Sequence, residues 1–367
     1  MSDRPRIEPD ALRAFTAAVF GICGMEPGPA AEAARSLCYA DAVGMDTHGV
    51  ANLAGLYVPR LRDGRVDPRA RPEVVSERGG AALLDGHDGL GLYVGVVALD
   101  EAMTRAREHG VGAVAVRRSS HLGPAGYYSA RAAEEGMVAM AMSNCGTQRI
   151  ARPPGGGEAM LGTNPLSAGA PAGDLPSYVL DMSTTVVPTG RVRTAHASGE
   201  TIPEGWLVDD DGRPVTDPAA LDEGRGHIQW LGGRPETGAY KGFGLGLLVD
   251  ILCGALPGAG VGPLGEPGAD DRDVGHFILA LDVSAFRPVA DFEATMDAML
   301  GALLGSPPAR EGGRVLYPGH VESDSAAERA ANGIPVAPHV VSKLDQLATE
   351  LGIDPPAWLP QGAGTSA

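Results

Sequence analysis

This sequence of 367 residues is poor in basic side chains and has no long apolar run. Its 29 Lys and Arg stand against 46 Asp and Glu, so the net charge is −17 and no basic stripe is present to neutralise nucleic-acid phosphates. No segment of about 18 or more uncharged apolar residues occurs, which argues against a membrane-spanning helix. We therefore expect neither a nucleic-acid partner nor a membrane partner.

Cysteine is also scarce. The four cysteines lie far apart in apolar or helical surroundings, without a C-x-x-C pair or a metal-ligand spacing: Cys23, Cys38, Cys145 and Cys253. We expect four buried thiols and no metal site. The first residues run straight into an amphipathic segment rather than a targeting sequence, so the expected location is the cytoplasm.

Two familiar ligand motifs are missing. The glycine-rich segments 86–91 and 242–246 do not give G-x-G-x-x-G between a strand and a helix, which disfavours a standard Rossmann domain. Residues 209–212 resemble the start of a calcium loop, but Ala220 stands at the twelfth position, where a bidentate carboxylate is required. We interpret that segment as an acidic turn.

Hydrophobic periodicity predicts helical ends around an α/β centre. The expected helices cover residues 12–22, 30–40, 96–109, 125–135, 242–256, 292–304 and 340–351. The expected strands cover residues 81–84, 111–116, 137–142, 179–180 and 277–280, and residues 146–171 are expected to form a loop. The two helical ends should pack together, and residues 362–367 should be mobile.

Two polar loops each carry a histidine beside hydroxyl groups and a glycine. His48 lies in Asp-Thr-His-Gly at 46–49, and His121 lies in Ser-Ser-His-Leu-Gly at 119–123, directly after a predicted strand. Imidazole moves protons near neutral pH, and ligand sites favour strand ends. The two loops predict an acid/base site, although a single loop histidine is more often structural than catalytic.

Lys241 and Gly242 begin a predicted apolar helix. Free backbone N–H groups and an ammonium at this point can hold an anion or a pyrophosphate. The alternative is a solvated lysine on a helix that packs closely through glycine. The Gly-Thr-Asn-Pro segment at 162–165 is likewise either part of a site or an ordinary turn.

Six blocks of sequence together resemble the malate/L-lactate dehydrogenase family of the second type. These blocks are residues 46–50, 119–123 with Tyr127 and Tyr128, 162–165, 181–184, 203–206 with 216–218, and 240–245. They run in order over nearly the whole length, which is too extensive a match for coincidence. Members are NAD(P)-dependent oxidoreductases that are unrelated in fold to the Rossmann lactate and malate dehydrogenases.

The resemblance implies an α/β, mixed-sheet, non-Rossmann fold and a homodimer. Residues 1–75 and 305–367 are expected to form a helical domain, and residues 76–304 an α/β region that binds cofactor and substrate. Members transfer a hydride between NADH or NADPH and 2-oxo acids, 2,3-diketo acids or cyclic imino acids, or the corresponding reduced compounds. They include enzymes similar to ureidoglycolate dehydrogenase, diketogulonate reductase and cyclic imino acid reductase.

The resemblance also implies roles for individual residues. Members differ in which of the two histidines is the acid/base. His48 is expected to donate the proton in reduction, and His121 to orient or polarise the substrate or to share the proton path, and to contact the cofactor. The implied substrate-binding residues are Thr47, Asn52, Tyr57, Ser143 and Asn144. The implied cofactor-binding residues are Gly162, Thr163, Asn164, Asp181, Met182, Ser183, Thr184, Lys241, Gly242, Pro318, Gly319 and His320, of which His320 stands where many relatives carry glutamate.

The main departure from the family pattern follows His48. Many relatives carry an arginine four residues later, where a guanidinium grips the substrate carboxylate with two charge-assisted hydrogen bonds. Here that position is Asn52, and the next tyrosine falls one residue late, as Tyr57. Arg60 or Arg62 can replace the missing arginine only if the chain turns back.

Two hypotheses follow from this departure. In the first, the chain is an active enzyme for a substrate other than a simple 2-hydroxy acid, such as a larger ketone, an imine or an amide-bearing keto compound. In the second, it is a binding or scaffold protein whose catalytic function has degraded. Retention of His48, His121 and Lys241 favours the enzyme.

Overall fold

A seven-stranded mixed sheet forms the centre of the computed structural model, which describes residues 4–359. The strands of all three sheets in residues 4–359 are β1 (Arg6–Ile7), β2 (Glu73–Arg78), β3 (Ala81–Asp85), β4 (Val111–Ser119), β5 (Met137–Ser143), β6 (Leu166–Ala170), β7 (Tyr178–Met182), β8 (Leu207–Val208), β9 (Pro214–Val215), β10 (His227–Ile228), β11 (Val274–Asp282) and β12 (Ile334–Pro335). The order in the large sheet is β2-β3-β4-β11-β5-β6-β7. Neighbours pair antiparallel except β3 and β4, which are parallel.

Helices cover both faces of this sheet and form the two ends of the chain. They are α1 (Pro9–Ile22), α2 (Pro27–Val43), α3 (Val58–Arg62), α4 (Gly91–His109), α5 (Ala125–Glu134), α6 (Thr189–Ala197), α7 (Ala219–Asp222), α8 (Ala239–Asp250), α9 (Val289–Leu304), α10 (His320–Asn332) and α11 (Pro338–Leu351). Two π-helical turns, Leu53–Tyr57 and Ile251–Ala255, adjoin α3 and α8. Within residues 4–359, no helix is long and apolar enough to cross a membrane.

Strand β5 shows how the sheet separates its two layers of helices. Successive side chains point to opposite faces of a strand. Ala139 and Ala141 belong to the core formed with α4 and α5, whereas Met140 and Met142 pack with the α8 side. Because both faces are covered, residues 137–142 of the strand are all apolar rather than alternating with polar residues.

The two ends of the chain pack together, as expected. β1 pairs antiparallel with β12, and Ile7 lies opposite Ile334. A single apolar core joins α1, α2 and α11, with Leu12, Leu37 and Leu344 fully or almost fully buried. Burial of each such side chain stabilises the fold by roughly 1.5 to 3 kcal/mol.

A small sheet with its own apolar cluster borders the loop that carries His48. The sheet β10-β8-β9 is antiparallel and forms one unit with helices α6 and α7 around buried Val192, Leu207 and Trp230. A Cβ atom placed on Gly190, at the start of α6, would lie 3.9 Å from the Cβ of Thr47. This unit therefore packs beside the loop that carries His48.

The structure corrects two expectations about secondary structure and burial. Residues 146–171 are not all loop, because β6 lies within the large sheet; its small residues Ser167 and Gly169 pack against Ser129 on α5 and give no hydrophobic signal. Cys23 and Cys145 are half-buried rather than buried. The other predicted helices and strands are present with shifted ends, and residues 362–367 lie outside the described range.

Candidate active site

The carboxyl ends of two central strands lie at the same edge of the sheet. β4 and β5 pair antiparallel with opposite sides of β11, so they run in the same direction. His121 follows β4 by two residues, and Ser143 ends β5. Because ligand sites favour such strand ends, this edge is the first candidate for an active site.

The imidazole of His121 is held through its Nδ1 atom. Nδ1 lies 2.8 Å from the hydroxyl oxygen of Tyr57 and accepts the backbone N–H of Gly123 at 3.1 Å. An Nδ1 atom that accepts this N–H carries no proton, so the neutral ring has its proton on Nε2 and the Tyr57 hydroxyl donates. Burial lowers the pKa of His121 to about 3, which keeps the ring neutral at physiological pH.

His48 lies beside His121. The centroids of the two rings are 6.4 Å apart, and their planes differ by 22°. Oγ1 of Thr47 lies 3.0 Å from Nδ1 of His48. Burial lowers the pKa of His48 below its ordinary value of 6.5. The fold thus brings the two histidine loops into one site.

The turn that carries His48 rests on the buried carboxyl group of Asp41. Oδ2 of Asp41 accepts the backbone N–H of Val50 at 2.8 Å. A Cβ atom at Gly49 would overlap this carboxyl group, so the close approach requires glycine. Arg329 on α10 donates to the backbone oxygen of Asp41, which ties the turn to the C-terminal helices. Burial raises the pKa of Asp41 to about 8.

The π-helical turn over Leu53–Tyr57 brings Tyr57 to His121. A π-helical turn contains one residue more than an α-helical turn. It occurs where this chain has one residue more than the family pattern between His48 and the tyrosine. The late position of Tyr57 in the sequence therefore does not move its side chain out of the site. Burial also raises the pKa of Tyr57, so its hydroxyl stays protonated.

Asn52 and Arg60 occupy different places around this loop. Nδ2 of Asn52 donates to the backbone oxygen of Thr47 at 2.8 Å, and a substrate contact by Asn52 stays a prediction. Arg60 pairs with Asp271 at 2.5 Å, and its charge acts on His121. Arg62 is about half exposed. Of these two arginines, Arg60 is the one that is largely buried, three residues after Tyr57.

Ser143 and Asn144 take part in a buried hydrogen-bond network. The fully buried His276 on β11 bridges the hydroxyls of Ser119 and Ser143, at 2.8 and 3.0 Å. Oδ1 of Asn144 accepts two backbone N–H groups at 3.0 Å, and its Nδ2 donates to Asp250 at 2.9 Å. These side chains brace the edge of the sheet, and their contact with a substrate stays a prediction.

Three of the four segments expected to hold the cofactor are joined by hydrogen bonds. The backbone N–H and the hydroxyl of Thr184 donate to the carbonyl of Thr163, at 3.0 and 2.9 Å. The Thr184 carbonyl accepts the N–H of Leu231 at 2.9 Å, and the Leu231 carbonyl accepts the N–H of Gly242 at 3.2 Å. These segments therefore meet beyond the end of β7.

The fourth segment lies along the start of the same strand. The N–H of Val179 donates to the carbonyl of Pro318 at 3.1 Å. Gly319 has a φ of 98° and packs on the backbone of Ser177 and Val179, where a side chain would clash. His320 then begins α10. All four predicted segments thus border β7.

Two polar atoms in these segments suit a bound dinucleotide. Oδ1 of Asn164 and Nδ1 of His320 are buried and have no hydrogen-bond partner within residues 4–359, so a polar ligand would satisfy them. The nearest carboxylate oxygen to Nδ1 of His320, Oδ2 of Asp324, is 3.6 Å away. Other side chains already have partners: Asp181 accepts a backbone N–H of α5 at 2.7 Å, and Ser183 donates to a backbone carbonyl at 2.8 Å. Met182 packs in an apolar cluster.

The expectation of free N–H groups at Lys241 and Gly242 is wrong. Helix α8 begins three residues before the expected start, at Ala239. The N–H of Lys241 donates to the carbonyl of Gly238 at 2.9 Å, and the N–H of Gly242 is used by Leu231. An anion contact at this turn therefore depends on the exposed side chain of Lys241.

Comparison with known proteins gives the family. Residues 7–345 match the sequence profile of the malate/L-lactate dehydrogenases. The chain belongs to this family. It is 35% identical to malate dehydrogenase from Pyrococcus abyssi over 95% of each chain, and 34% identical to L-sulfolactate dehydrogenase from Methanocaldococcus jannaschii over 86% of this chain and 88% of that protein. The crystal structure of malate dehydrogenase from Entamoeba histolytica matches 96% of this chain and 100% of its own, with a TM-score of 0.92 and 28% identity.

Membership in the malate/L-lactate dehydrogenase family confirms the predicted fold class and the predicted class of enzyme. The chain is an NAD(P)-dependent oxidoreductase with a mixed-sheet, non-Rossmann α/β fold. The alternative of a scaffold protein with degraded catalysis gains no support from these relatives.

Three buried or largely buried residues near the site, Asp41, His276 and Asp271, were not predicted from the sequence. Asp41 lies among the mostly apolar buried residues of α2, and His276 lies among the apolar residues of β11; this placement was the available signal. Asp271 lies in an acidic loop segment with no comparable signal. Tertiary contacts join Asp41 and His276 to the histidine loops and join Asp271 to Arg60, and only these contacts make the three residues recognisable.

Proposed function

We propose that this enzyme transfers a hydride between NAD(P) and the carbonyl carbon of a 2-oxo acid-like substrate, or the corresponding 2-hydroxy compound. In this proposal, His48 donates the proton during reduction and His121 holds the substrate oxygen. The observation that carries the proposal is the bonding of Nδ1 of His121 to Tyr57 and Gly123.

The bonding of His121 limits what this ring can do. With Nδ1 accepting from Tyr57 and Gly123, only the Nε2–H is available to a substrate. Loss of that proton would leave an imidazolate anion in a buried site, which is strongly disfavoured. We therefore assign His121 as a hydrogen-bond donor that orients and polarises the substrate oxygen.

His48 is then the candidate for proton transfer. A substrate oxygen held by His121 lies close to His48, because the two ring centroids are 6.4 Å apart. Thr47 contacts Nδ1 of His48 and orients the ring. The lowered pKa of His48 makes its protonated form a stronger acid than free imidazole, which favours donation to the oxygen as the carbonyl is reduced.

The nicotinamide ring supplies or accepts the hydride when the cofactor is bound. We assign the dinucleotide to the segments that border β7. Support comes from Oδ1 of Asn164 and Nδ1 of His320, which have no hydrogen-bond partner within residues 4–359, and from the exposed ammonium of Lys241. Amide, ribose and phosphate groups match these donors and acceptors.

The substrate class follows from the relatives and from the loop after His48. The relatives named above are malate and L-sulfolactate dehydrogenases, whose named substrates are 2-hydroxy acids. Asn52 in place of the usual arginine supports a substrate that differs from a simple small 2-hydroxy acid. We infer a 2-oxo acid-like compound, or a larger ketone or imine of a specialised pathway.

We also propose that the enzyme is a homodimer that uses one exposed face of α8. Tyr240, Leu248 and Ile251 share this face at helical spacing, and they are 63%, 44% and 50% exposed. A contiguous apolar face of this kind marks an interface, and the family resemblance favours a second copy as its occupant.

Sedimentation velocity tests the dimer. The wild-type enzyme should sediment as a dimer, and combined replacement of Leu248 and Ile251 by aspartate should give monomers. Leu264, which is 83% exposed outside this face, provides the matched aspartate control and should leave the dimer intact. A wild-type monomer would refute this part of the proposal.

We assign the enzyme to the cytoplasm, a location that suits its four free cysteines.

A substrate screen tests the main proposal. The purified enzyme is mixed with NADH or NADPH and with 2-oxo acids such as oxaloacetate and pyruvate, cyclic imines, or neutral ketones. Oxidation of one cofactor by at least one of these compounds is expected. Failure of all combinations, while the enzyme still binds a cofactor, would contradict the proposed reaction.

A further inference from the structure

A largely buried ion pair includes Arg60 of α3, three residues after the Tyr57 that contacts His121. Nη2 of Arg60 is 2.5 Å from Oδ1 of Asp271, and the two side chains are only 14% and 12% exposed. Removing two charges from water offsets most of their attraction, so such a pair adds little net stability. Its position at the site points to a role in ligand binding.

The helical turn places Arg60 on the side of Tyr57. Residues three positions apart lie on the same face of a helix, and the π-helical turn continues into α3 between these two. The Tyr57 hydroxyl contacts His121 at 2.8 Å. The positive charge of Arg60 also opposes the rise that burial causes in the pKa of Tyr57, and it adds to the lowering that burial causes in the pKa of His121. The guanidinium is therefore near the atoms that would hold the substrate.

Arg60 keeps hydrogen-bond donors available. Within residues 4–359, its hydrogen bond goes to Asp271 through Nη2, which leaves Nε and Nη1 without a protein partner. A guanidinium fork matches a carboxylate with two parallel hydrogen bonds. Asp271 fixes the orientation of the fork before a ligand arrives, which reduces the entropy lost on binding.

Asn52 is unsuited to the same task. Its side chain is uncharged, and its amide donates to the backbone oxygen of Thr47. We propose that Arg60, oriented by Asp271, binds the carboxylate of a 2-oxo acid substrate in place of the arginine that Asn52 replaces. This inference rests on the proposed function and deepens it by naming the residue that selects carboxylate-bearing substrates.

Pyruvate and its uncharged amide, pyruvamide, test this selectivity because they share the reacting carbonyl and differ in charge. The wild-type enzyme should prefer pyruvate. Arg60→Gln should lower kcat/KM for pyruvate by about 10- to 100-fold, chiefly through KM, because charged hydrogen bonds are lost. For pyruvamide the change should stay below about threefold. Arg60→Lys keeps the charge without the fork and should give an intermediate loss.

Two further variants show whether a loss of activity in Arg60→Gln comes from the missing guanidinium or from a destabilised fold. Arg60→Gln leaves the buried Asp271 without its partner, so the double variant Arg60→Gln/Asp271→Asn removes both charges together. It should melt near the wild-type temperature and still lose the preference for pyruvate. Arg62→Gln is the matched control on the exposed side of α3 and should behave as wild type.

The outcomes separate this inference from the proposed function. If the wild-type enzyme reduces cyclic imines or neutral ketones but neither pyruvate nor oxaloacetate, the proposed hydride transfer stands and this inference is overturned. If it reduces none of these compounds with either cofactor, both fail. If the wild-type enzyme is active but the double variant retains its preference for pyruvate, only the role of Arg60 is overturned. Equal losses for pyruvate and pyruvamide would also overturn it.

Discussion

The hydroxyl oxygen of Tyr57 lies 2.8 Å from Nδ1 of His121, the atom that also accepts the N–H of Gly123. The Tyr57 contact joins the segment after α2 to the loop after β4, and the N–H of Gly123 fixes which nitrogen of His121 carries the proton. The contact is made although Tyr57 falls one residue late in the sequence, because a π-helical turn absorbs the additional residue.

Tyr57→Phe should therefore lower kcat by about 3- to 10-fold, the effect of losing one hydrogen bond that orients His121. Cofactor affinity, measured by fluorescence titration, should not change. Tyr93→Phe is the control, because no side-chain hydrogen bond of Tyr93 occurs within residues 4–359. Wild-type turnover in Tyr57→Phe would show that Gly123 alone orients the ring.

Replacement of Gly49 should disturb the His48 turn. A Cβ atom at this position would overlap the carboxyl group of Asp41, whereas one at Gly55 would meet no atom within 4 Å. Gly49→Ala should destabilise the fold by about 1 to 3 kcal/mol in a denaturant titration and lower turnover. Gly55→Ala should retain stability and turnover. Similar stabilities for the two variants would contradict the close approach.

The pH dependence of catalysis should report His48. Reduction requires the protonated ring, and burial lowers the pKa of His48 below 6.5. The value of kcat/KM for reduction should therefore be highest in acid and fall as pH rises through that pKa, while the value for oxidation rises over the same range. A descending limb for reduction centred well above 6.5 would argue against His48.

The buried Asp41 should make stability depend on pH. Its pKa is raised from 3.8 to about 8, so the folded protein keeps a proton that the unfolded chain has lost between these values. Its contribution to stability is present below pH 3.8 and is lost as pH rises through about 8. The melting temperature of wild type should therefore fall more between about pH 5 and about pH 8 than that of Asp41→Asn.

Asp181 and Asp250 also have raised pKa values, of about 6. Both carboxyl groups also make the fold less stable as pH rises, and both remain in Asp41→Asn. The test therefore compares the slope of melting temperature against pH in the wild type with the slope in Asp41→Asn. Identical slopes would mean that Asp41 does not carry the pH dependence.

Several parts of the site could be predicted from sequence because local residue types carry them. Both histidines lie in short polar loops after predicted regular elements, and their residue types suggested acid/base chemistry before any contact was known. The family pattern added the cofactor segments. The structure brings three of these segments together by hydrogen bonds that start from Thr163 and Thr184.

Other parts could not be predicted because they depend on tertiary packing. Strand β6 consists largely of small residues, and its position follows from close contact with α5 rather than from hydrophobic periodicity. The carboxyl group of Asp41 acquires its partner only when the turn after α2 folds back over it. The choice between Arg60 and Arg62 likewise depended on which side of a short helix meets Asp271.

Replacement of His48 tests the central assignment most directly. His48→Ala should lower turnover by a factor on the order of 100 or more, because the proton donor is lost, while cofactor binding measured by fluorescence titration persists. His109→Ala, at the end of α4, is the matched surface control and should retain wild-type turnover. Full activity of His48→Ala would contradict the account.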